Sequence, residues 1–201
     1  MDTERDFLNG KKRALQKLDQ AINENKADKT ILPILTIINE FSYYYTSSSC
    51  AGRIVLLQIP KIGDKQNAQF LGKWHQTIKP DELTSASKNA EVGQLWLLAQ
   101  SPIIHLTAKT IASASLMLKT AISCGFKNSG LRSLDKKLIV EICSTERLDA
   151  PVGNDRILFC NDEYLELLIS VANEVLEKSR EKLSRFEEKL KKRLSTYKTT
   201  K

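Results

Sequence analysis

Residues Thr46–Leu57 read TSSSCAGRIVLL, a run of small polar residues that leads directly into a line of apolar ones. The segment Arg53–Ile59 is rich in β-branched residues and predicts a buried strand, and Tyr43–Thr46 predicts another strand before it. The loop that is expected between them contains Ser47, Ser48, Ser49 and Cys50. A simple chain reversal needs no such cluster of hydroxyls and a thiol beside a guanidinium, so the stretch indicates a binding site.

The elements around this stretch follow from periodicity. Phe7 and the apolar residues after it recur at helical spacing, and Thr30 is the expected cap of a second helix that has Pro33 in its first turn. After the stretch, Gln69–Ile78 predicts a partner strand for a hairpin, and a short helix is expected over Pro80–Asn89. The partner strand contains the pair Trp74-His75.

The second half of the chain repeats this order. The expected elements are strands at QLWLLAQ and IIHLTA, a helix over Thr107–Cys124 ended by Gly125, the loop KNSGLR and a strand over Lys137–Cys143. The region from Thr145 to Phe159 predicts turns, with a short strand at Ile157–Phe159. Asn161 or Asp162 is the expected cap of a long last helix over about residues 162–196.

Together these patterns predict an α+β fold in one compact domain over residues 1–201, with mixed or antiparallel sheets. Each half has a helix, a small polar loop and an apolar strand, and each has a tryptophan before a strand histidine: Trp74 and His75, then Trp96 and His105. This repetition favours an internal duplication with halves at about 30–90 and 91–160. The two polar loops would then meet across one cleft.

Composition excludes several classes of protein. Of the 201 residues, 41% are apolar and 27% are charged, which is typical of a globular chain. The eight glycines contain no Gly-x-Gly pair, so a Rossmann dinucleotide site and a Walker A loop are not expected. Four dispersed cysteines and two histidines predict neither a metal site nor a disulfide framework. No apolar run reaches the roughly 20 residues of a membrane span, and a cytoplasmic protein is expected.

The charge is concentrated near the end of the sequence. The net charge is +7, and residues 171–201 contain ten Lys and Arg against five Asp and Glu. A basic last helix on a nearly neutral body favours a polyanionic partner such as RNA. The alternative is a solvated helix whose lysines serve only solubility.

The polar residues at strand ends and in loops form the candidate site. They are Ser47, Ser48, Ser49, Cys50, Arg53, His75, His105, Asn128, Ser129, Gly130 and Arg132. Each also has a structural interpretation, since serine and Asn-Ser-Gly form turns unaided and a strand histidine is often only hydrogen-bonded. Their concentration outside the helices favours a shared function.

The order of several segments resembles a known family. SSSCAGR, GKWH, SPIIHL, AISCGFKNSG and IVEICSTERLDAPV are similar to the third enzyme of wybutosine synthesis, a tRNA methyltransferase family, and the resemblance extends from about Phe7 to Leu190. It implies methyl transfer from S-adenosylmethionine to N4 of the tricyclic base at position 37 of phenylalanine tRNA, in the anticodon loop. The chain departs from the family at Ala51, where serine is usual, at Lys127, where arginine is usual, and at Gln100-Ser101, where Glu-Pro is frequent.

The chemistry of methyl transfer suggests roles for the candidate residues. The protein is expected to be monomeric. Catalytic candidates are His75 or His105 as proton acceptor, with Ser49 and Cys50 beside them. Candidates for binding the donor or the base are Ser47, Ser48, Asn128, Ser129, Gly130 and Arg132, with Arg53 on a carboxylate and Trp74 or Trp96 stacked on the tricycle. Two alternatives stay open: an RNA-binding module without enzymatic activity, and a hydrolase in which Cys50 is the nucleophile and a histidine the base.

Overall fold

The computed structural model describes residues 4–199, with side chains up to residue 193 in the last helix. The helices are α1 (Glu4–Asn23), α2 (Leu32–Glu40), α3 (Pro80–Ser87), α4 (Ile111–Ser123) and α5 (Asp162–Thr199). The strands are β1 (Tyr44–Cys50), β2 (Arg53–Ile59), β3 (Gln69–Trp74), β4 (Gln94–Gln100), β5 (Ile103–Ala108), β6 (Gly130–Ser133), β7 (Leu138–Cys143), β8 (Leu148–Asn154) and β9 (Ile157–Leu158). All strand pairs among these residues are antiparallel, which confirms the α+β class. Within residues 4–199, no helix has the length and apolar character of a membrane span.

The chain packs as two units, and each is built from separated segments. The first unit contains the residues up to Ala51, Pro102–Thr145 and the chain from Arg180 onward. The second unit contains Gly52–Ser101 and Glu146–Ser179. Helix α5 therefore contributes residues to both. The expected single domain, with a duplication at about 30–90 and 91–160, stays a prediction.

The first unit is built around a four-stranded sheet in the order β1-β5-β7-β6. One face of this sheet carries a core to which α2, α4 and the second part of α5, from Arg180 onward, contribute. Ile104 and Leu106 of β5 and Phe186 of α5 are completely buried there, and the rings of Phe126 and Phe186 lie 5.6 Å apart. Burial of these side chains contributes about 1.5–3 kcal/mol each. The opposite face carries Tyr45, which packs against Phe7 of α1, together with polar residues of the strands.

The second unit is built around a five-stranded sheet in the order β3-β2-β4-β8-β9. Alternate residues of β2 and β4, such as Ile54, Leu56, Leu95 and Leu97, are fully buried. They pack with Leu83 of α3 and with the apolar side of the first part of α5, residues 162–179. Arg53 is the first residue of β2 and is half-buried.

The serine run is not the expected loop. Strand β1 continues through Ser47–Cys50, and only Ala51 and Gly52 connect it to β2, with Gly52 at φ +94°. Serine favours turns in an isolated sequence, but here the segment forms a ladder with β5. A bulge between Thr46 and Ser48 shifts its register. The serines therefore stand in fixed positions on a sheet.

The turns expected after Thr145 were wrong over Leu148–Asn154, where β8 forms, whereas the short strand expected at Ile157–Phe159 is present as β9 (Ile157–Leu158). Pro151 and Gly153 are residue types that are unfavourable inside a strand. The ladder pairs Leu95 with Gly153 and Trp96 with Pro151, which leaves Val152 as an extra residue in a bulge. A bulge is one of the places where a sheet accepts proline. Likewise, the last residues of KNSGLR form the start of β6.

Four helix ends differ in how well they were predicted. Helix α2 starts after Ile31 rather than Thr30, while Pro33 lies in its first turn as expected. Helix α4 is shorter than predicted, because Thr107 belongs to β5 and Thr110 is the cap. Gly125 adopts φ +102° after α4 as expected, and the side chain of Asn161 accepts a hydrogen bond from the Tyr164 N–H at the start of α5.

Candidate active site

Three strands of the first sheet place polar side chains in one row. Ser48 of β1 lies opposite His105 of β5, and His105 lies opposite Glu141 of β7. Residues that are directly opposite in antiparallel strands project from the same face. Since Ile104 and Leu106 on either side of His105 face the core, the row lies on the face away from the core.

The row is joined by hydrogen bonds. Ser48 Oγ lies 3.0 Å from His105 Nδ1, and His105 Nε2 lies 2.7 Å from Glu141 Oε2. Arg132, at the bulge in β6, donates from Nη2 to the other carboxylate oxygen, Glu141 Oε1. This bond to Arg132 is the main cause of the lowered pKa of Glu141, and the bond to His105 adds to it. Glu141 is therefore a buried anion, with only 8% of its side chain exposed.

The rest of the serine run has separate contacts. Ser47 Oγ lies 3.4 Å from the His105 carbonyl oxygen, at the limit of a hydrogen bond. Ser49 and Cys50 are half-buried at the end of β1. Asp28 fixes this end, because its carboxylate accepts hydrogen bonds from the Ala51 N–H at 2.9 Å and from the Thr30 N–H at 3.1 Å.

The Asn-Ser-Gly segment lies at the start of β6 and has a largely structural geometry. Ser129 Oγ donates to the Phe126 carbonyl at 2.7 Å and accepts from the Cys143 N–H at 3.1 Å. The Asn128 N–H donates to the Cys143 carbonyl, while its side chain is exposed. Ser129 thus ties the segment to β7, and Asn128 is the member whose side chain is presented to solvent.

In the second unit, Arg53 is held from two sides. Its Nε donates to Gln100 Oε1 at 2.7 Å, and its guanidinium carbon lies 5.4 Å from the centre of the Phe70 ring. The bond to Gln100 occupies the Nε–H, so the terminal amino groups are the ones that can hold a carboxylate with two parallel bonds.

His75 lies just after β3 rather than on it as expected. Its Nδ1 lies 3.2 Å from the Gly52 carbonyl oxygen. Trp74 packs against the second core, and a Cβ added to Gly72 would lie 2.0 Å from its ring, so Gly72 makes room for the indole. Trp96 donates from Nε1 to Gln94 at 3.2 Å. Both indoles are half-buried and serve packing in this structure.

Sequence reasoning missed three residues that organise these groups: Glu141, Asp28 and Gln100. Glu141 had a visible signal, a single carboxylate within the apolar strand segment IVEIC, because a charge at such a place requires a partner. Asp28 had none, since its partner Ala51 is 23 residues away in the sequence. Gln100 stood out only as a departure from the family, and its partner Arg53 is 47 residues away.

Comparison with known proteins identifies the family. The chain matches the family described as Methyltransferase TYW3 over residues 9–192. It belongs to the TYW3 methyltransferase family. A relative from Pyrococcus abyssi named tRNA(Phe) 7-((3-amino-3-carboxypropyl)-4-demethylwyosine(37)-N(4))-methyltransferase 1 is 44% identical over 185 residues, which cover 92% of this chain and 95% of the relative. A relative from Methanocaldococcus jannaschii with the same name but without the final numeral is 43% identical, with 92% and 96% covered.

Solved structures support the TYW3 fold assignment. A structure of a Pyrococcus horikoshii protein has a TM-score of 0.88 at 44% identity and covers 92% of this chain and 95% of that protein. A structure from Aeropyrum pernix has a TM-score of 0.71 at 29% identity, with 82% and 98% covered. The TYW3 family resemblance that the sequence suggested is thereby confirmed.

Proposed function

We propose that this chain transfers a methyl group to N4 of the tricyclic base at position 37 of phenylalanine tRNA, as the names of its relatives state for those proteins. The observation that carries the proposal is the SSSCAGR segment, whose Ser48 is hydrogen-bonded to His105 on the neighbouring strand. That arrangement offers a hydroxyl and an imidazole for accepting the proton that a methylated N–H must lose.

S-adenosylmethionine is the proposed donor, and when bound it supplies an electrophilic methyl group. The chemistry of the available side chains fits it. Arg53, three residues after Cys50 in the sequence, can hold a carboxylate through its terminal amino groups, either that of the donor or that of an aminocarboxypropyl substituent on the base. In the first unit, Ser49 and Cys50 place polar groups at the end of β1. Positioning of the reacting groups can supply roughly 7–11 kcal/mol of the barrier.

Basic residues on the second part of α5 are the proposed contact for tRNA phosphates. In the first unit, a groove of about 980 Å³ is lined by Tyr43, Leu116 and Met117, and by the cations Lys189, Lys192 and Arg193. An exposed aromatic ring beside three cations suits a nucleic acid strand. Position 37 lies in a single-stranded loop, so moving its base into a site costs less than flipping it from a duplex.

The test is methylation of tRNA that carries the unmethylated tricyclic base. We expect nucleoside mass spectrometry to show a gain of one methyl group only when S-adenosylmethionine is present. His105→Ala should abolish most of this gain. His75→Ala is the comparison variant, and equal losses in both would assign proton transfer to neither histidine alone.

Two results would contradict the proposal. One is the absence of methylation with a folded protein and verified substrate. The other is tRNA binding without any calorimetric binding of S-adenosylmethionine, which would favour an RNA-binding module without enzymatic activity.

A further inference from the structure

The geometry points to Glu141 as a positioning residue, which holds His105 with its hydrogen on Nε2 and thereby makes Ser48 the group that takes the proton from the substrate. The inference rests on the proposed function and goes beyond it, because it assigns the proton to specific atoms. Glu141 bonds His105 and Arg132, and only 8% of its side chain is exposed, so it acts through His105.

The tautomer of His105 is set by its two hydrogen-bond partners. An ionised carboxylate can only accept hydrogen bonds, so the His105 nitrogen that lies 2.7 Å from Glu141, Nε2, carries the hydrogen. In the neutral ring the other nitrogen, Nδ1, then has a lone pair. Ser48 Oγ, 3.0 Å from Nδ1, must therefore donate its hydrogen to the ring.

Glu141 keeps its negative charge because of Arg132. The carboxylate has two oxygens, one bonded to His105 and the other to Arg132. Arg132 stays protonated at all relevant pH values, so it keeps the buried carboxylate anionic and fixes its orientation. Arg132 thus acts on His105 through Glu141.

His75 provides a contrast within the same chain. Its Nδ1 faces the carbonyl oxygen of Gly52, which also can only accept, so in His75 the hydrogen is on Nδ1. The two histidines of this chain are therefore held in opposite tautomers. Only His105 presents Nδ1 as an acceptor to a hydroxyl.

Each proton and each electron pair of the methyl transfer has a defined destination. The pair of electrons of the N4–H bond remains on N4 and forms the new bond to the methyl carbon, while the carbon–sulfur bond pair stays on sulfur and neutralises the sulfonium. The N4 proton goes to Ser48 Oγ as the Ser48 hydrogen goes to His105 Nδ1. The resulting imidazolium is stabilised by the Glu141 carboxylate, and its proton is later released to water.

Other titratable groups near His105 come from each neighbouring strand. The adjacent row of the sheet pairs Cys50 of β1 with Ile103 and Ile103 with Cys143 of β7. On the other side of His105, Tyr45 of β1 pairs with Thr107. With Glu141 on β7 and Arg132 on β6, these are the titratable groups of the described strands that flank His105. A pH effect of the Glu141→Gln substitution must therefore be compared with the effects of Cys50→Ser and Cys143→Ser.

The first experiment reads the tautomers directly by ¹H–¹⁵N NMR of the imidazoles. The chain has two histidines, so His75→Ala assigns both sets of signals. We expect hydrogen on Nε2 of His105 and on Nδ1 of His75, and we expect Glu141→Gln to convert a large part of His105 to the other tautomer while His75 is unchanged. Hydrogen on Nδ1 of His105 in the unaltered protein would overturn the inference. Because this readout needs no substrate, it decides the inference even if the proposed function fails.

The second experiment is a double-mutant cycle on methylation. Glu141→Gln should lower kcat about a hundredfold or more, as for other carboxylates that orient a catalytic histidine, with little change in KM for the donor. In a protein that already carries His105→Ala, Glu141→Gln should lower kcat almost no further. Additive losses would overturn the inference, because they would mean that Glu141 acts independently of His105.

The controls separate positioning from folding. Glu141→Asp keeps the charge and should recover part of the activity, and Arg132→Gln should lower kcat less than Glu141→Gln does. In Glu141→Gln the acidic limb of the pH–rate profile should move to lower pH, since the anion that stabilises the imidazolium is gone. Cys50→Ser and Cys143→Ser should leave that limb in place. A limb that moves in the cysteine variants but not in Glu141→Gln would contradict the inference.

Discussion

Gly153 and Gly130 show how much a single missing side chain can matter. A Cβ added to Gly153 in β8 would lie 2.1 Å from the carbonyl oxygen of Ile157, and this is backbone that cannot rotate away. A Cβ added to Gly130 in β6 would meet no atom within 4 Å. The first glycine is therefore required by close packing of two strands, and the second is not.

We expect Gly153→Ala to lower the free energy of unfolding by about 3 kcal/mol, because β9 must move away from β8. The matched Gly130→Ala variant should change it by less than about 0.5 kcal/mol. Urea unfolding of the two variants measures both. Equal changes in the free energy of unfolding would show that the close approach of β8 and β9 does not require a glycine at position 153.

Glu141 also predicts how stability changes with pH. Its pKa in the folded chain is lowered from the usual 4.5, first by Arg132 and also by His105. The carboxylate therefore adds stability above pH 4.5, and this contribution is lost as the pH falls through the lower folded value. We expect Glu141→Gln to be destabilised at pH 7, and to be less destabilised at pH 3, which lies below the usual pKa of 4.5. Unfolding free energies at both pH values test this, and a constant difference between the two proteins would contradict it.

At the level of single residues, the sequence predicted the polar groups but not how they are held. His105 and the serines could be found because they stand out in type and place. Their partners depend on strand register, which the sequence does not state. The one exception is Glu141, since a charge within an apolar strand signals a buried partner.

Among the elements, helix α4 has the clearest local start signal. The side chain of Thr110 accepts a hydrogen bond from the Ser113 N–H, and Ser113 bonds back to the Thr110 N–H. Thr84, inside α3, instead donates to the Pro80 carbonyl. One threonine therefore satisfies a free N–H at a helix start, and the other adds a bond to a carbonyl within a helix.

Thr110→Ala should accordingly lower the free energy of unfolding by about 1 kcal/mol, because it removes this N-terminal cap. Thr84→Ala is the same chemical change and should cost less than about 0.5 kcal/mol. Thermal and urea unfolding measure both. A larger loss for Thr84→Ala would mean that capping is not what Thr110 contributes.

Elements with strong periodicity were predicted closely, and elements made by long-range pairing were not. The bounds of β4 and β5 follow from their alternating apolar residues and match the expected segments QLWLLAQ and IIHLTA. Strand β8 contains proline and glycine, and the end of β1 contains serines, so local preferences argued against both strands. Pairing with β4 and β5 outweighed these preferences.

For the molecule as a whole, the charge distribution predicts how RNA binding depends on salt. Lys192→Glu with Arg193→Glu should weaken tRNA binding and reduce the slope of log affinity against log salt by about 0.9 for each phosphate that is no longer neutralised. Lys61→Glu with Lys65→Glu changes the net charge equally on an exposed loop of the second unit. Filter binding at several salt concentrations compares them. If both double variants gave the same slope, the second part of α5 would be ruled out as the tRNA-binding surface.

Substitution is the right test of this helix, because truncation would unfold the first unit. Leu183, Phe186 and Leu190 on the second part of α5 are buried in the first core. The basic surface and the apolar core therefore share one helix, which the charge count alone could not show.

The shared helix α5 has a consequence for biosynthesis. The first core needs Phe186, and the second core needs the part of α5 that begins at Leu165, although both units start from much earlier segments. A ribosome that has translated only about 150 residues would thus carry all four strands of the first sheet and an incomplete second sheet, and neither sheet would have the part of α5 that covers its apolar face. The part of α5 that the second core needs leaves the ribosome before the part that the first core needs, so the second core can be completed first. Nascent chains stopped after residue 150 should need chaperone protection, and those extended beyond residue 190 should not.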